Sequence, residues 1–338
     1  SWSDDWSTST PPGSGWSTRA TPDYRFGAAS RAGRRGAALV RRGRVWQAHL
    51  HGHDDIPRLT GASTSLPPSD ARLRALRARL LGWYEENGRD LPWRRTTDPY
   101  AILVSEVMLQ QTPVSRVVPR YEEWLRVWPD LESLAAASFR EVLLRWQGLG
   151  YNNRALRLHR CAVAVTGSAT TAGTRARLPR TLDGLQALPG VGPYTARAVL
   201  VFAHNADVAA VDANVRRVLT HELGLPHDLG PKDLQTVADA ALPRGRSRDW
   251  HNGLMDYGAL VLTARSSGIA SRRRQGPFQG SRRQRRARLL RRVLAHGPLT
   301  LPELATALEA TTAEVADLVA LLHRDGLVRT SEGRVHVA

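Results

Sequence analysis

Leu188-Pro189-Gly190-Val191-Gly192-Pro193-Tyr194-Thr195-Ala196 separates two stretches of helical apolar spacing, and its reading decides the architecture of the chain. Glycine reaches the positive φ angles of a tight hairpin without a Cβ penalty, so Gly190 and Gly192 are expected to turn the chain. Pro193 then suits the first turn of a following helix, where a missing N–H costs nothing. N–H groups left unpaired at the hairpin and the helix start would point outward together. That makes Leu188, Pro189, Gly190, Val191 and Gly192 a candidate grip for a phosphate oxygen. An ordinary interhelical turn is the plainer alternative, and a lone Gly-x-Gly would favour it.

Outward from the hairpin the pattern is helical in both directions. Spacing predicts helices at about 100–111, 113–127, 131–136, 138–147, 151–166, 181–187, 193–204, 213–223, 231–241 and 248–262. Another begins after Ser69, with Asp70 as its cap and Leu73, Leu76, Leu80, Leu81 and Tyr84 on its apolar side. A loop from Asp90 to Tyr100 carries Pro92-Trp93-Arg94. No strand-like alternation is sustained over 69–262, so an all-α domain is expected there. Residues 1–68, rich in Ser, Thr, Gly, Pro and Arg, read as a disordered basic tail. Its aspartates argue against a transit peptide, and Trp2, Trp6, Trp16 and Trp46 have no place in that reading.

Residues 263–280 form an Arg-rich connection, and 281–338 read as a separate module. A basic helix over 282–296 is followed by a short one over 301–308 after the Gly297-Pro298 break. Thr312 can cap a third helix to His323, and alternation around Gly333 predicts a hairpin. Three helices and a hairpin in that order suggest a small winged-helix-like fold.

The formal charge of the 338 residues is +17, which points to a polyanionic partner. Eleven arginines and no acid lie between Leu262 and Arg292. A solvated face is the bland explanation, but so long a run without counter-charge favours phosphate contacts, with Arg282, Arg283, Arg285 and Arg286 as candidates. The single cysteine, Cys161, excludes a disulfide framework and any cysteine-built metal site within one chain. It fits a reducing cytoplasm, with DNA binding placing the protein at the nucleoid. No apolar run is long enough to span a membrane.

Two carboxylates stand in contrasting contexts. Glu106 interrupts Ile102-Leu103-Val104-Ser105-Glu106-Val107-Met108-Leu109, where burial would raise its pKa toward that of a general acid at neutral pH. A solvent-facing or salt-bridged Glu is the alternative. Asp212 precedes the helix from Ala213 and reads as its N-cap. Backbone N–H donors at a helix start are expected to lower its pKa and keep it ionised, as an anion beside an oxocarbenium-like sugar must be. One protonated and one ionised carboxyl group is the division of labour of glycoside cleavage.

Several segments then fall into register. Residues 188–196 resemble the DNA-binding helix-hairpin-helix, a motif that in ligases and polymerases only grips DNA. Ser105-Glu106-Val107-Met108-Leu109-Gln110-Gln111-Thr112 resembles the catalytic-helix signature of MutY-type adenine DNA glycosylases. Gly148-Leu149-Gly150-Tyr151, Val211 to Val218 and Met255-Asp256-Tyr257-Gly258-Ala259 follow in the order of that family, over about 76–262. The resemblance implies an all-α helix-hairpin-helix glycosylase core. It implies that Glu106 protonates the departing adenine and Asp212 stabilises the sugar cation, with Tyr194 and Asn214 supporting them. Gln111 and Tyr151 match residues that wedge into the duplex while the base is flipped out, ordinary packing being the alternative. The implied partner is double-stranded DNA holding a mispaired or damaged base, bound by a monomer.

Lyase-capable relatives carry a Schiff-base lysine where this chain has Tyr194, and its one lysine, Lys232, lies elsewhere. A monofunctional enzyme is expected. The [4Fe–4S] cluster common in the family would need cysteines near Leu262, Ile269, Arg272 and Phe278, so no cofactor is expected. Residues 275–281 look similar to a clusterless branch. Many members also end in a larger β-rich domain that reads 8-oxoguanine, and the short module here leaves opposite-base preference open. The rival readings are a glycosylase for thymine or uracil opposite guanine, and a non-catalytic DNA-binding protein.

Overall fold

The computed structural model describes residues 67–168, 175–269 and 276–338, so the tail read over 1–68 lies almost wholly outside the described residues. Eleven helices build the first region. They are α1 (Asp70–Asn87), α2 (Pro99–Leu109), α3 (Val114–Val127), α4 (Leu131–Ala136), α5 (Phe139–Arg145), α6 (Asn153–Gly167), α7 (Leu182–Gln186), α8 (Pro193–His204), α9 (Ala213–Glu222), α10 (Pro231–Ala240) and α11 (Ser247–Leu260). Pro92–Arg94 makes a single 3-10 turn.

Their termini follow from local chemistry. Asp98 caps α2 by accepting from the Tyr100 N–H, and Pro99 starts it. Asp130 and Ser138 open α4 and α5 with reciprocal capping boxes. Ser69 and not Asp70 occupies the N-cap of α1, where Asp70 supplies a first-turn negative charge instead.

α2 is buried from Tyr100 to Met108, the burial expected of a central helix apolar on most sides. It belongs to a large apolar cluster with α3–α6 and α8. α1, α9, α10 and α11 enclose a second cluster of their own, and Met255 packs against both. The seam between the two clusters is where a cleft can form.

The C-terminal module consists of α12 (Arg282–His296), β1 (Leu299–Thr300), α13 (Leu301–Leu308), α14 (Thr312–Arg324), β2 (Val328–Ser331) and β3 (Arg334–Val337). The strands form an antiparallel sheet in the order β1-β3-β2, the arrangement of a winged helix. β1 was not anticipated, because two residues between a Gly-Pro break and a helix cap carry no alternation. Thr311 caps α14 in a box with Glu314, one residue earlier than expected. Leu289, Leu290, Val293 and Leu294 of α12 are buried in the same cluster as α5 and α6, and Arg140 donates to the Leu294 carbonyl at 2.6 Å.

Candidate active site

α2 brings Glu106 to the seam from one side, and the N-terminus of α9 brings Asp212 from the other. Both line a cavity of about 430 Å³ with Gln111, Tyr194 and Asn214, a size suited to a small planar ligand. Trp93, Ile102 and Phe202 give it apolar walls. These five residues come from three separate segments of the chain, α2 and the turn after it, the start of α8 and the start of α9, so the fold has gathered them. Tyr151 is not part of the cavity wall.

Glu106 is 7% exposed, and burial pushes its carboxyl up to about 7. The Tyr194 phenol donates toward it and partly offsets that rise, while the charge of Asp212 adds to it. Tyr194 is itself held well above the usual phenol range by burial and by the two carboxylates, so it remains a donor.

Asp212 caps α9 as expected, accepting the Val215 N–H at 2.7 Å and the Asn214 amide N–H at 2.9 Å. Its pKa, however, is raised and not lowered. Burial outweighs the bonds from Val215 and Asn214 and the field of Arg217, because the cap sits inside the cleft and not at a solvated helix end. The two groups still differ, since the bonds on Asp212 favour its anion and Glu106 has only the phenol.

Arg217, which the sequence reading passed over, braces this wall. Its guanidinium donates to the Asn214 side-chain oxygen at 2.5 Å, to the Gly258 carbonyl at 2.8 Å and to Leu262 at 2.5 Å. The i, i+3 spacing of Asn214 and Arg217 on one helix was the available signal. Gly258 is needed where it stands: a Cβ there would lie 2.8 Å from the Asn214 Cβ. Across the cleft, Asp256 takes bonds from Arg94 at 2.7 and 2.8 Å and from the Arg89 side chain at 2.7 Å. Burial alone would raise that carboxyl, but Arg94 and Arg89 hold it below the usual range. The Pro92-Trp93-Arg94 turn and the Met255–Ala259 segment thus meet in one buried ion cluster.

Arg154 was also missed. One of its terminal nitrogens donates to the carbonyls of Val107, Met108 and Gln110 at 2.7–2.9 Å, closing the C-terminus of α2. The other reaches Thr112, Leu149 and Gly150 at 2.9–3.0 Å. A buried guanidinium thereby ties the Gln111 and Tyr151 loops together. Both of those residues hold positive φ, 57° and 50°, a costly conformation for side chains with a Cβ.

At the hairpin, Gly190 has φ +80°, but Gly192 lies at −85° and serves as the N-cap of α8. One left-handed residue suffices, because Val191 closes the turn by donating to the Leu188 carbonyl at 3.1 Å. A Cβ on Gly190 would meet the Arg157 Cβ at 2.4 Å, so an exposed arginine lies directly beside the hairpin. The candidate arginines of α12 divide. Arg282 is exposed, Arg283 reaches the Tyr151 hydroxyl at 3.3 Å, Arg285 faces Glu314 at 3.6 Å, and Arg286 is paired with Asp325. Lys232 is exposed on α10 and does not line the cavity.

The positions of the family's cluster ligands do not fit iron. Leu262 and Ile269 are buried hydrocarbon, Phe278 is exposed, and Arg272 lies outside the described residues. Among the described residues no group of His, Cys, Asp and Glu could hold a metal ion.

A model of the helix-hairpin-helix superfamily of base excision DNA repair proteins matches residues 104–242, which contain Glu106, the hairpin and Asp212. The solved structure of a thermostable thymine-DNA glycosylase is similar at 30% identity and TM-score 0.52, covering 58% of this chain and 89% of that one. A trapped endonuclease III–DNA intermediate shares the fold at 19% identity and TM-score 0.51, covering 58% of this chain and 89% of that one. Fold and cleft define a DNA glycosylase of this superfamily. The adenine DNA glycosylase of Mycolicibacterium smegmatis is 40% identical over 284 residues, covering 77% of this chain and 94% of the relative. That of Mycobacterium tuberculosis strain H37Rv is 38% identical over 281 residues, covering 75% and 91%. The chain belongs to the adenine DNA glycosylase family.

Proposed function

We propose that the protein hydrolyses the N-glycosidic bond of adenine mispaired with 8-oxoguanine or guanine in duplex DNA and leaves an intact abasic site. One observation carries this reading: Glu106, with its carboxyl near pKa 7, shares a cavity with Asp212, whose bonds favour the anion. The target base swings out of the stack into the cavity. Glu106 gives its proton to the adenine ring as the glycosidic bond breaks and the bonding electrons leave with the base. Asp212 stabilises the sugar cation, and water adds to the anomeric carbon and returns a proton to Glu106.

Tyr194 and Asn214 hold the two carboxylates in register through their hydrogen bonds. Gln111 and Tyr151, both in strained backbone beside the cleft, fill the stack where the base departs. The hairpin Leu188–Gly192 with Arg157, and the arginines of α12, grip phosphates. No lysine lines the cavity, which supports hydrolysis without a Schiff base. The enzyme works without an iron–sulfur cluster, as a monomer at the nucleoid. No described helix is long and apolar enough to cross a membrane.

Single-turnover excision on duplexes with adenine opposite 8-oxoguanine, guanine or thymine, and with thymine or uracil opposite guanine, tests the assignment. Adenine release from the first two duplexes is expected. The similarity to a thymine-DNA glycosylase makes thymine the specific rival, and preferential thymine release would replace adenine in this reading.

A further inference from the structure

The contact between Arg283 and Tyr151 spans 132 positions in sequence and is where the C-terminal module reaches the lesion-reading loop. Tyr151 is held from two sides. Below the ring, the Arg154 guanidinium carbon lies 5.6 Å from the centroid, within cation–π range. At the far end, the Tyr151 hydroxyl accepts from Arg283 at 3.3 Å, and the other Arg283 nitrogen donates to the Gly276 carbonyl at 2.7 Å.

Arg283 itself stands on a fixed support. On α12, positions 283, 286, 290 and 294 share one face. Leu290 and Leu294 are buried in the core cluster, and Arg286 is paired with Asp325 at the end of α14. Movement or loss of the module would therefore move Arg283.

We infer that Arg283 is a positioning residue through which the winged-helix-like module sets the pose of Tyr151, and so the enzyme's discrimination between mispaired and correctly paired adenine. The module would then do more than add charge. It would supply the core with a geometric constraint on the residue that enters the duplex. The inference rests on the wedge role given to Tyr151 above.

A double-mutant cycle tests it. Arg283→Gln, Tyr151→Phe and the double variant are compared with wild type for single-turnover release of adenine opposite 8-oxoguanine and opposite thymine. A 2-aminopurine reporter beside the target follows base flipping. Tyr151→Phe keeps the ring and removes only the acceptor. Each single variant is expected to reduce the discrimination ratio about fivefold, and the double variant no further than either alone, because both delete one coupled contact.

Independent, additive effects would overturn the inference. So would an Arg283→Gln variant that changes only the salt dependence of binding, by about one phosphate contact, with flipping and discrimination untouched. Failure of the functional reading is separable. If wild type releases thymine and not adenine, the same cycle is run on thymine opposite guanine, and coupling there would still support the Arg283–Tyr151 link.

Discussion

Arg154 and Arg217 lie inside the core and spend their donors mainly on backbone carbonyls around the cleft, whereas of the α12 arginines Arg282 faces solvent, Arg285 and Arg286 face the carboxylates of Glu314 and Asp325, and Arg283 alone of these four reaches back to Tyr151. In sequence the weighting is reversed. The α12 arginines form a conspicuous run, and Arg154 and Arg217 sit among only one or two other arginines, with nothing in their spacing to mark them out. Density of charge along the chain reports contact with solvent and polyanions. It says nothing about a single guanidinium that replaces a missing helix cap. Inner arginines should therefore govern stability and geometry, the outer ones other than Arg283 affinity and its salt dependence, and neither group should carry out the chemistry.

The sharpest test of that division lies at the carboxylates. Glu106→Gln is expected to lower single-turnover excision by about 10²–10⁴ while duplex affinity stays near wild type, since an amide cannot give up the proton. Asp212→Asn should cost about 10²–10³ by removing the anion beside the sugar cation. If Glu106 is the acid, as proposed, it must be protonated to act, and because its carboxyl is raised to about 7 the wild-type rate should fall as pH rises through that value. Near-normal excision by Glu106→Gln would assign the acid to another group.

Next in size is the inner arginine. Arg154→Met should destabilise the protein by about 3–5 kcal/mol, because carbonyls of α2 and of the Leu149–Gly150 turn lose their donor inside the core. Arg286→Gln, at a part-exposed pair, should cost no more than about 1 kcal/mol. Urea titrations of the two variants measure both, and equal losses would erase the distinction between inner and outer arginines.

Glu106 should also leave a signature in stability. Its folded carboxyl is raised from 4.5 to about 7, so the native state keeps a proton that the unfolded chain has released. That contribution is fully present below the unfolded value and is lost as pH rises through the folded one. Glu106→Gln should then gain stability relative to wild type between pH 5 and 8, by about 3 kcal/mol at most. A flat difference across that window would mean that Glu106 titrates normally. Smaller again, Gly258→Ala should lower the excision rate about tenfold by displacing Asn214 and with it Asp212, a geometric loss of the kind a small misplacement causes. Unchanged activity would show that α11 can yield at that point.

Helix positions were legible in the sequence because α2, α8 and α9 each advertise both an apolar stripe and a start signal. Pro193 and Asp212 begin their helices where the spacing placed them. The carboxylates were legible for the same reason, each being the odd residue in a strongly patterned segment. What escaped were features that exist only after packing. Arg154 acts on residues more than forty positions away, Gly258 is constrained by a helix it meets only in three dimensions, and β1 is defined by its partner β3. The sign of the Asp212 shift failed likewise. A cap at a helix start predicts stabilised charge, but the cleft that buries it is built by other segments.

The smallest effect is the most direct probe of the outer arginines. Binding that neutralises phosphates releases counterions, so log K falls with log salt at a slope of about 0.9 per contact. Arg282 is exposed at the start of α12, beside the residue that reaches Tyr151, and among the described residues no carboxylate pairs with it as Glu314 and Asp325 do with Arg285 and Arg286. Arg282→Gln should reduce the slope by about one, measured on a duplex without a target base so that flipping makes no contribution. Arg286→Gln should leave it nearly unchanged, since Asp325 already neutralises that charge within the module. Arg285→Gln should fall between, because its pair with Glu314 is long and exposed. If Arg286→Gln flattens the slope as much as Arg282→Gln, the pair with Asp325 opens on binding. The run would then act as one cationic surface, as its sequence suggests, and the partition drawn from the ion pairs would be wrong.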